Sequence, residues 1–323
     1  MRKVLFATTA LVALGGVSAA SADISVSAAN EFKYSSWSDS YAASATANKT
    51  SVGSTTKYKI SASTVTDNGL TMSSYTGQDA SGTGAFNDYG FSIGGDFGEV
   101  GFAGSESGDA FETDAAVTAD ESSSMATTNT AATGTLQMLM PGKSANGGST
   151  VSYKSPDMSG FQFAIGMSEV GNDDGAQMGA QYSMTAGTTS VTLKYAVDNQ
   201  GTASTSATEI EATSAGIVVG YGDATVTLAS NSKKKGSTYD YSSDAIGISY
   251  KVSDALSVAA YTGSTEDAQD SAHEITDTGL GFTYTITPGL SLSVTHNDWD
   301  LKDGTTTLNA DGQKTTVALD VSF

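Results

Sequence analysis

Apolar and polar residues alternate with a period of two along most of this chain. At its end, Thr315, Val317, Leu319, Val321 and Phe323 fall in one phase, and Lys314, Thr316, Ala318, Asp320 and Ser322 in the other. Successive side chains of a strand point to opposite faces, so residues 313–323 form a strand with one apolar and one polar face. The same alternation predicts fifteen more strands. They cover 24–37, 57–65, 70–76, 88–94, 99–104, 150–155, 161–168, 176–185, 190–197, 209–221, 224–230, 241–252, 256–262, 276–287 and 290–296.

The connections carry a second pattern: seven are short and eight are longer and polar, in strict alternation. Asp67-Asn68-Gly69 and Pro288-Gly289 are tight-turn signals, Asn-Gly because it supplies positive φ angles. An antiparallel barrel with short turns at one end and long loops at the other produces this alternation. A β-sandwich also has alternating strands, but nothing forces its loop lengths to alternate. A β-helix would show a fixed repeat, and none is visible. Barrel closure gives every backbone group a partner. The predicted fold is an all-β, sixteen-stranded antiparallel transmembrane barrel, apolar toward lipid and polar toward a wet lumen, with both termini on the short-turn side. Trp37 and Trp299 fall near loop ends, where an aromatic girdle meets lipid headgroups.

Residues 1–22 read as a cleaved export leader. Arg2 and Lys3 precede an apolar run over 4–17, and Ala20-Ser21-Ala22 forms a small-residue cleavage site. Residues 23–323 then make one domain. Cysteine is absent, so an exported chain must gain its stability from something other than disulfides, for example extensive strand pairing. Beyond the leader there is no arginine, and 13 lysines stand against 35 carboxylates, a net charge of −22. That charge repels nucleic acid and excludes it as a partner. No stretch after the leader approaches the roughly 18–20 consecutive apolar residues of a spanning helix. The longest gap between strands, 105–147, opens with Glu106, Asp109, Glu112, Asp114, Asp120 and Glu121.

The leader, the sixteen strands, the Gly95-Asp96-Phe97-Gly98 hairpin, the Ser155-Pro156 turn running into Ser159-Gly160-Phe161, and the terminal Phe323 together resemble a known family. It is the general diffusion porins of Gram-negative bacteria, of the alphaproteobacterial, Rhodobacter-like type. The resemblance covers 23–323. It implies a homotrimeric outer-membrane channel for ions and small hydrophilic solutes, in contact with outer-membrane lipid and lipopolysaccharide. It implies delivery by the barrel assembly machinery, with Phe323 as the terminal aromatic signal. It also implies that the third external loop, 105–147, folds into the lumen, where its six carboxylates form the constriction. Carboxylates so placed lower the energy of a cation and raise that of an anion. Family members oppose this loop with basic residues, often arginines, and this chain departs from that pattern. Strand phase puts Lys33, Lys57, Lys59 and Lys314 on the opposing lumen wall. Ammonium groups lack the guanidinium fork, so a weaker transverse field and a cation preference are expected. The rival reading is a secreted or surface-attached structural β protein, of adhesin or coat type, with a dry core and no channel.

Little points to catalysis. His273 and His296 are the only histidines, and no serine–carboxylate pair is tied to either by spacing, so no enzyme is expected. Asp298, Asp300 and Asp303 make a weak calcium candidate, but the twelfth position, where an EF-hand needs glutamate, is Asn309. No cofactor is expected beyond loosely bound calcium. Lys233-Lys234-Lys235 reads as a solvated loop run, and Gly82 and Gly84 as loop punctuation.

Overall fold

The computed structural model describes residues 23–39, 50–79, 88–103, 149–170, 173–200, 210–236, 239–267, 270–302 and 310–323. All sixteen predicted strands are present. The first eight are β1 (Asp23–Asp39), β2 (Thr50–Val65), β3 (Thr71–Asp79), β4 (Asp88–Gly95), β5 (Gly98–Ala103), β6 (Ser149–Lys154), β7 (Phe161–Val170) and β8 (Asp173–Ala186). The rest are β9 (Thr189–Gln200), β10 (Ile210–Tyr221), β11 (Ala224–Lys235), β12 (Tyr239–Lys251), β13 (Leu256–Asp267), β14 (Asp270–Thr287), β15 (Leu290–Lys302) and β16 (Ala310–Ser322). Each pairs antiparallel with its neighbours in sequence, and β16 pairs with β1, so the sheet is a closed barrel. The last residue completes the seam: Phe323 N–H donates to the Ala28 carbonyl at 2.9 Å, and Ala28 N–H to the Phe323 carbonyl at 3.3 Å.

Register separates the two faces. Across the seam Phe32 opposes Leu319 and Tyr34 opposes Val317, while Lys33 opposes Ala318 and Ser35 opposes Thr316. The first phase carries exposed apolar side chains on most strands, including Ile24, Phe91, Phe102, Ile165, Leu193, Ile248 and Phe282. An apolar face of this extent belongs against lipid, not water. On a closed cylinder outward side chains splay and inward ones converge. Lumen-phase Ser35, Thr316 and Ala318 are accordingly buried.

The strands exceed their predicted length at the loop end. β11 runs to Lys235, β13 to Asp267 and β15 to Lys302, five or six residues past the last position that the apolar pattern marks. The apolar stripe stops where lipid stops, whereas backbone pairing continues into water. This corrects the expected connections: 171–172, 236–238 and 268–269 hold only two or three residues, so loop length does not alternate strictly.

The short turns are also joined to one another. Gly222 N–H donates to the Thr188 carbonyl (3.2 Å), Lys251 N–H to Asp223 (2.9 Å), Thr285 N–H to Ala255 (2.8 Å) and Ser322 N–H to Gly289 (2.8 Å). In the expected turn over Asp67-Asn68-Gly69 only Gly69 has positive φ, at 81°, and its N–H donates to the Thr66 carbonyl at 2.9 Å.

Candidate functional site

The lumen face is the candidate site, and the register decides what reaches it. Lys33, Lys57, Lys59 and Lys314 all fall on the lumen phase, on the adjacent strands β16, β1 and β2. Lys33 forms an ion pair with Glu31 at 3.2 Å. The Lys59 ammonium stands 4.3 Å from the centroid of the Tyr75 ring, in cation–π contact. A recess of about 440 Å³ in this wall is lined by Glu31, Lys33, Thr55, Lys57 and Asp320, among others. Lys314 is buried beside Asn297, its register partner on β15.

A second arc of lysines escaped the sequence reading. Residues 233–235 are not a solvated loop run but the end of β11. Lys233 and Lys235 share the phase of Ala229 and Asn231, paired with Ala212 and Ile210, and with Tyr241 and Tyr239. Lys234 points the other way and pairs with Asp240 at 3.5 Å. Lys194 on β9 joins the lumen phase. Strands β1 and β9 lie eight places apart in a ring of sixteen, so the two arcs occupy opposite sides of the lumen. Carrying the alternation of β11 past Ser230 would have found Lys233 and Lys235, and the phase of Val191, Leu193 and Tyr195 leaves Lys194 on the opposite face.

Charge is sorted between the faces. Among described side chains the lumen phase holds nine lysines: Lys33, Lys57, Lys59, Lys154, Lys194, Lys233, Lys235, Lys251 and Lys314. Against them stand seven carboxylates: Asp23, Glu31, Glu99, Asp198, Asp267, Asp277 and Asp320. The outward lysines, Lys234 and Lys302, are each ion-paired, Lys302 with Glu274 at 2.9 Å. A closed sixteen-stranded barrel with a lipid-like exterior and a charged, nearly balanced interior is the architecture of an aqueous pore. The sequence matches the Gram-negative porin family over residues 7–304. The chain belongs to that family.

Gram-negative porins are outer-membrane channels rather than enzymes. Solved structures of outer-membrane proteins share the fold at low identity. The trimer form of OmpT, an outer membrane protein of Vibrio cholerae, is 13% identical with a TM-score of 0.66, covering 94% of this chain and 99% of that one. The anion-selective porin of Comamonas acidovorans is 16% identical with a TM-score of 0.63, over 94% and 100%. A triple mutant of the Rhodopseudomonas blastica porin is 16% identical with a TM-score of 0.63, over 93% and 100%. No curated protein matches the sequence.

Other expected residues of this porin fall differently. Trp299 is not at the lipid surface: it shares the lumen phase of Thr295 and Asn297, and its indole lies over Gly312. Nearness to a loop end does not choose a face; phase does. Trp37 pairs through its backbone with Lys314, and its side chain lies outside the described residues. The exposed aromatics on the lipid side are instead Tyr34, Tyr89, Phe91, Phe102, Tyr195 and Tyr250, with others. Glu106, Asp109, Glu112, Asp114, Asp120 and Glu121 lie outside the described residues, as do Asp303, Gly82, Gly84 and the His273 side chain.

Asp298 and Asp300 stand on the outward phase, opposite Gln313 and Asp311. His296 Nε2 lies 3.4 Å from Asp298, and its Nδ1 shares a 2.8 Å hydrogen bond with Thr315 Oγ1. Among the described residues no three His, Cys, Asp or Glu side chains gather closely enough to hold a metal ion. A buried polar network on the lumen side was not foreseen either. Tyr261 donates to Asp277 Oδ2 at 2.5 Å, and Asn297 Nδ2 donates to the Tyr261 hydroxyl.

Proposed function

We propose that this porin is a passive diffusion channel with a preference for cations. The supporting observation is that the described wall carries nine lysines against seven carboxylates, an excess of two positive charges that the six carboxylates of segment 105–147 outnumber. A wall so close to neutral leaves the sign of selectivity to the segment 105–147. Its carboxylates Glu106, Asp109, Glu112, Asp114, Asp120 and Glu121, folded into the lumen, tip the balance toward cations. The Comamonas porin, described as anion-selective, has the same fold, so barrel architecture by itself does not fix the sign of selectivity. Replacing the six carboxylates with amides tests the reading: reversal potential in a salt gradient moves toward zero or changes sign. An unchanged reversal potential contradicts it.

The working form is a homotrimer. Asn30, Ser54, Thr56, Ser74 and Thr76 stand on the outward phase of β1–β3, with Thr56 donating to Asn30 at 2.8 Å. Lipid chains offer such groups no hydrogen bonds, so a neighbouring copy is the better cover. The trimeric OmpT gives a precedent in the fold. An oligomer that survives detergent until heated is the expected behaviour, and a monomer at all temperatures counts against it. Outward carboxylates at the loop end, such as Glu211, Glu266 and Asp300, suit contact with lipopolysaccharide phosphates through divalent cations. Cleavage after Ala22, membership of the Rhodobacter-like branch and reading of Phe323 by the assembly machinery complete the proposal.

A further inference from the structure

Three aromatic side chains of the lumen phase lie on glycines of the next strand. Tyr75 on β3 covers Gly90 on β4, Tyr261 on β13 covers Gly279 on β14, and Trp299 on β15 covers Gly312 on β16. A Cβ on these glycines would stand 2.4, 2.1 and 2.1 Å from the nearest ring carbon. None of the three has a positive φ, so backbone conformation does not call for glycine there. Space does. Two of the rings are also held by polar contacts: the Lys59 ammonium sits over Tyr75, and the Tyr261 hydroxyl lies between Asp277 and Asn297.

We propose that Gly90, Gly279 and Gly312 set the bore of the channel by letting these rings lie against its wall. The proposal rests on the channel reading. The ladder hydrogen bonds fix both strands of each pair, so neither backbone can retreat from an added methyl group. The ring must turn instead, and a lumen-phase ring that leaves the wall enters the pore. At Gly90 the turn also removes the seat of the Lys59 ammonium, so ion preference shifts together with width. Solutes are then sorted by how much wall the glycines leave free, in addition to the lumen charge.

The test is single-channel conductance and the size cut-off for neutral polyethylene glycols, in planar bilayers, with the full-length folded protein. Gly90→Ala, Gly279→Ala and Gly312→Ala should each lower conductance by roughly a third or more and reduce the cut-off, as narrowing a pore does. The paired variants Tyr75→Ala/Gly90→Ala, Tyr261→Ala/Gly279→Ala and Trp299→Ala/Gly312→Ala should recover at least the wild-type conductance. Unchanged conductance in a folded glycine variant overturns the assignment, as does failure of the pair to recover. Should a glycine variant not fold, the aromatic single variants decide. Tyr75→Ala, Tyr261→Ala and Trp299→Ala must then conduct at least as well as wild type, and a drop overturns the assignment. Wild-type protein that gives no conductance at all overturns the channel reading itself.

Discussion

Asp277 shows how much a single donor matters on this lumen wall. Its residue is 2% exposed, and one of its carboxylate oxygens accepts from Tyr261. Tyr261→Phe keeps the ring over Gly279 but removes that donor, leaving a buried acceptor short of a partner. Such a loss costs about 1–3 kcal/mol, to be read as a lower urea midpoint for the detergent-folded barrel. At the turn end, a hydrogen bond from Lys251 at 2.9 Å holds the Asp254 carboxyl below its ordinary value. Because the folded value is the lower one, what the pair adds is present above the ordinary carboxylate range and fades as pH falls through the folded value. The pair is exposed, so an NMR titration is the suitable measurement. Asp254 should titrate below an ordinary aspartate, and Lys251→Ala should return it. Residues whose face follows from parity alone were legible: Lys33, Lys57, Lys59 and Lys314 fall on the predicted face. Trp299 was not, because its position near a loop end said nothing about which face it takes.

Strands were legible at their turn ends and foreshortened at their loop ends, for a physical reason. Val226 and Leu228 mark β11 because lipid selects apolar residues, but Asn231 to Lys235 pair in water, where nothing does. Lys233 and Lys235 were missed with that extension. The turns carry their own signal in glycine. A Cβ on Gly98, at φ 103°, would come within 2.2 Å of the Lys154 carbonyl oxygen, and one on Gly289, at φ 80°, within 2.5 Å of that of Ser322. Gly187 and Gly222 also have positive φ but open space around them. Gly98→Ala and Gly289→Ala should therefore destabilise by about 1–3 kcal/mol through strain, and more than Gly187→Ala or Gly222→Ala. Thermal unfolding in detergent ranks the four. Equal effects would mean that turn-to-turn contact contributes nothing.

At the scale of the whole molecule, Phe323 extends the pairing that closes the barrel. Deleting Phe323 removes both hydrogen bonds to Ala28 at the seam and leaves β1 and β16 with an unfinished edge. The expected result is a marked fall in the yield of folded, heat-modifiable protein on gels. The closed sixteen-strand order could be read from alternation because every strand repeats the same two-faced problem. The constriction could not, since residues 105–147 lack that periodicity and their inward fold rests on resemblance to the porins. The proposed channel is a water-filled pore with a nearly neutral wall and an acidic segment that selects cations. Reversal potential in a potassium chloride gradient, measured on single channels of the reconstituted protein, tests that claim most directly. Stepwise conductance that reverses on the cation side is the predicted result. Reversal on the anion side, or a bilayer that never conducts, would contradict it.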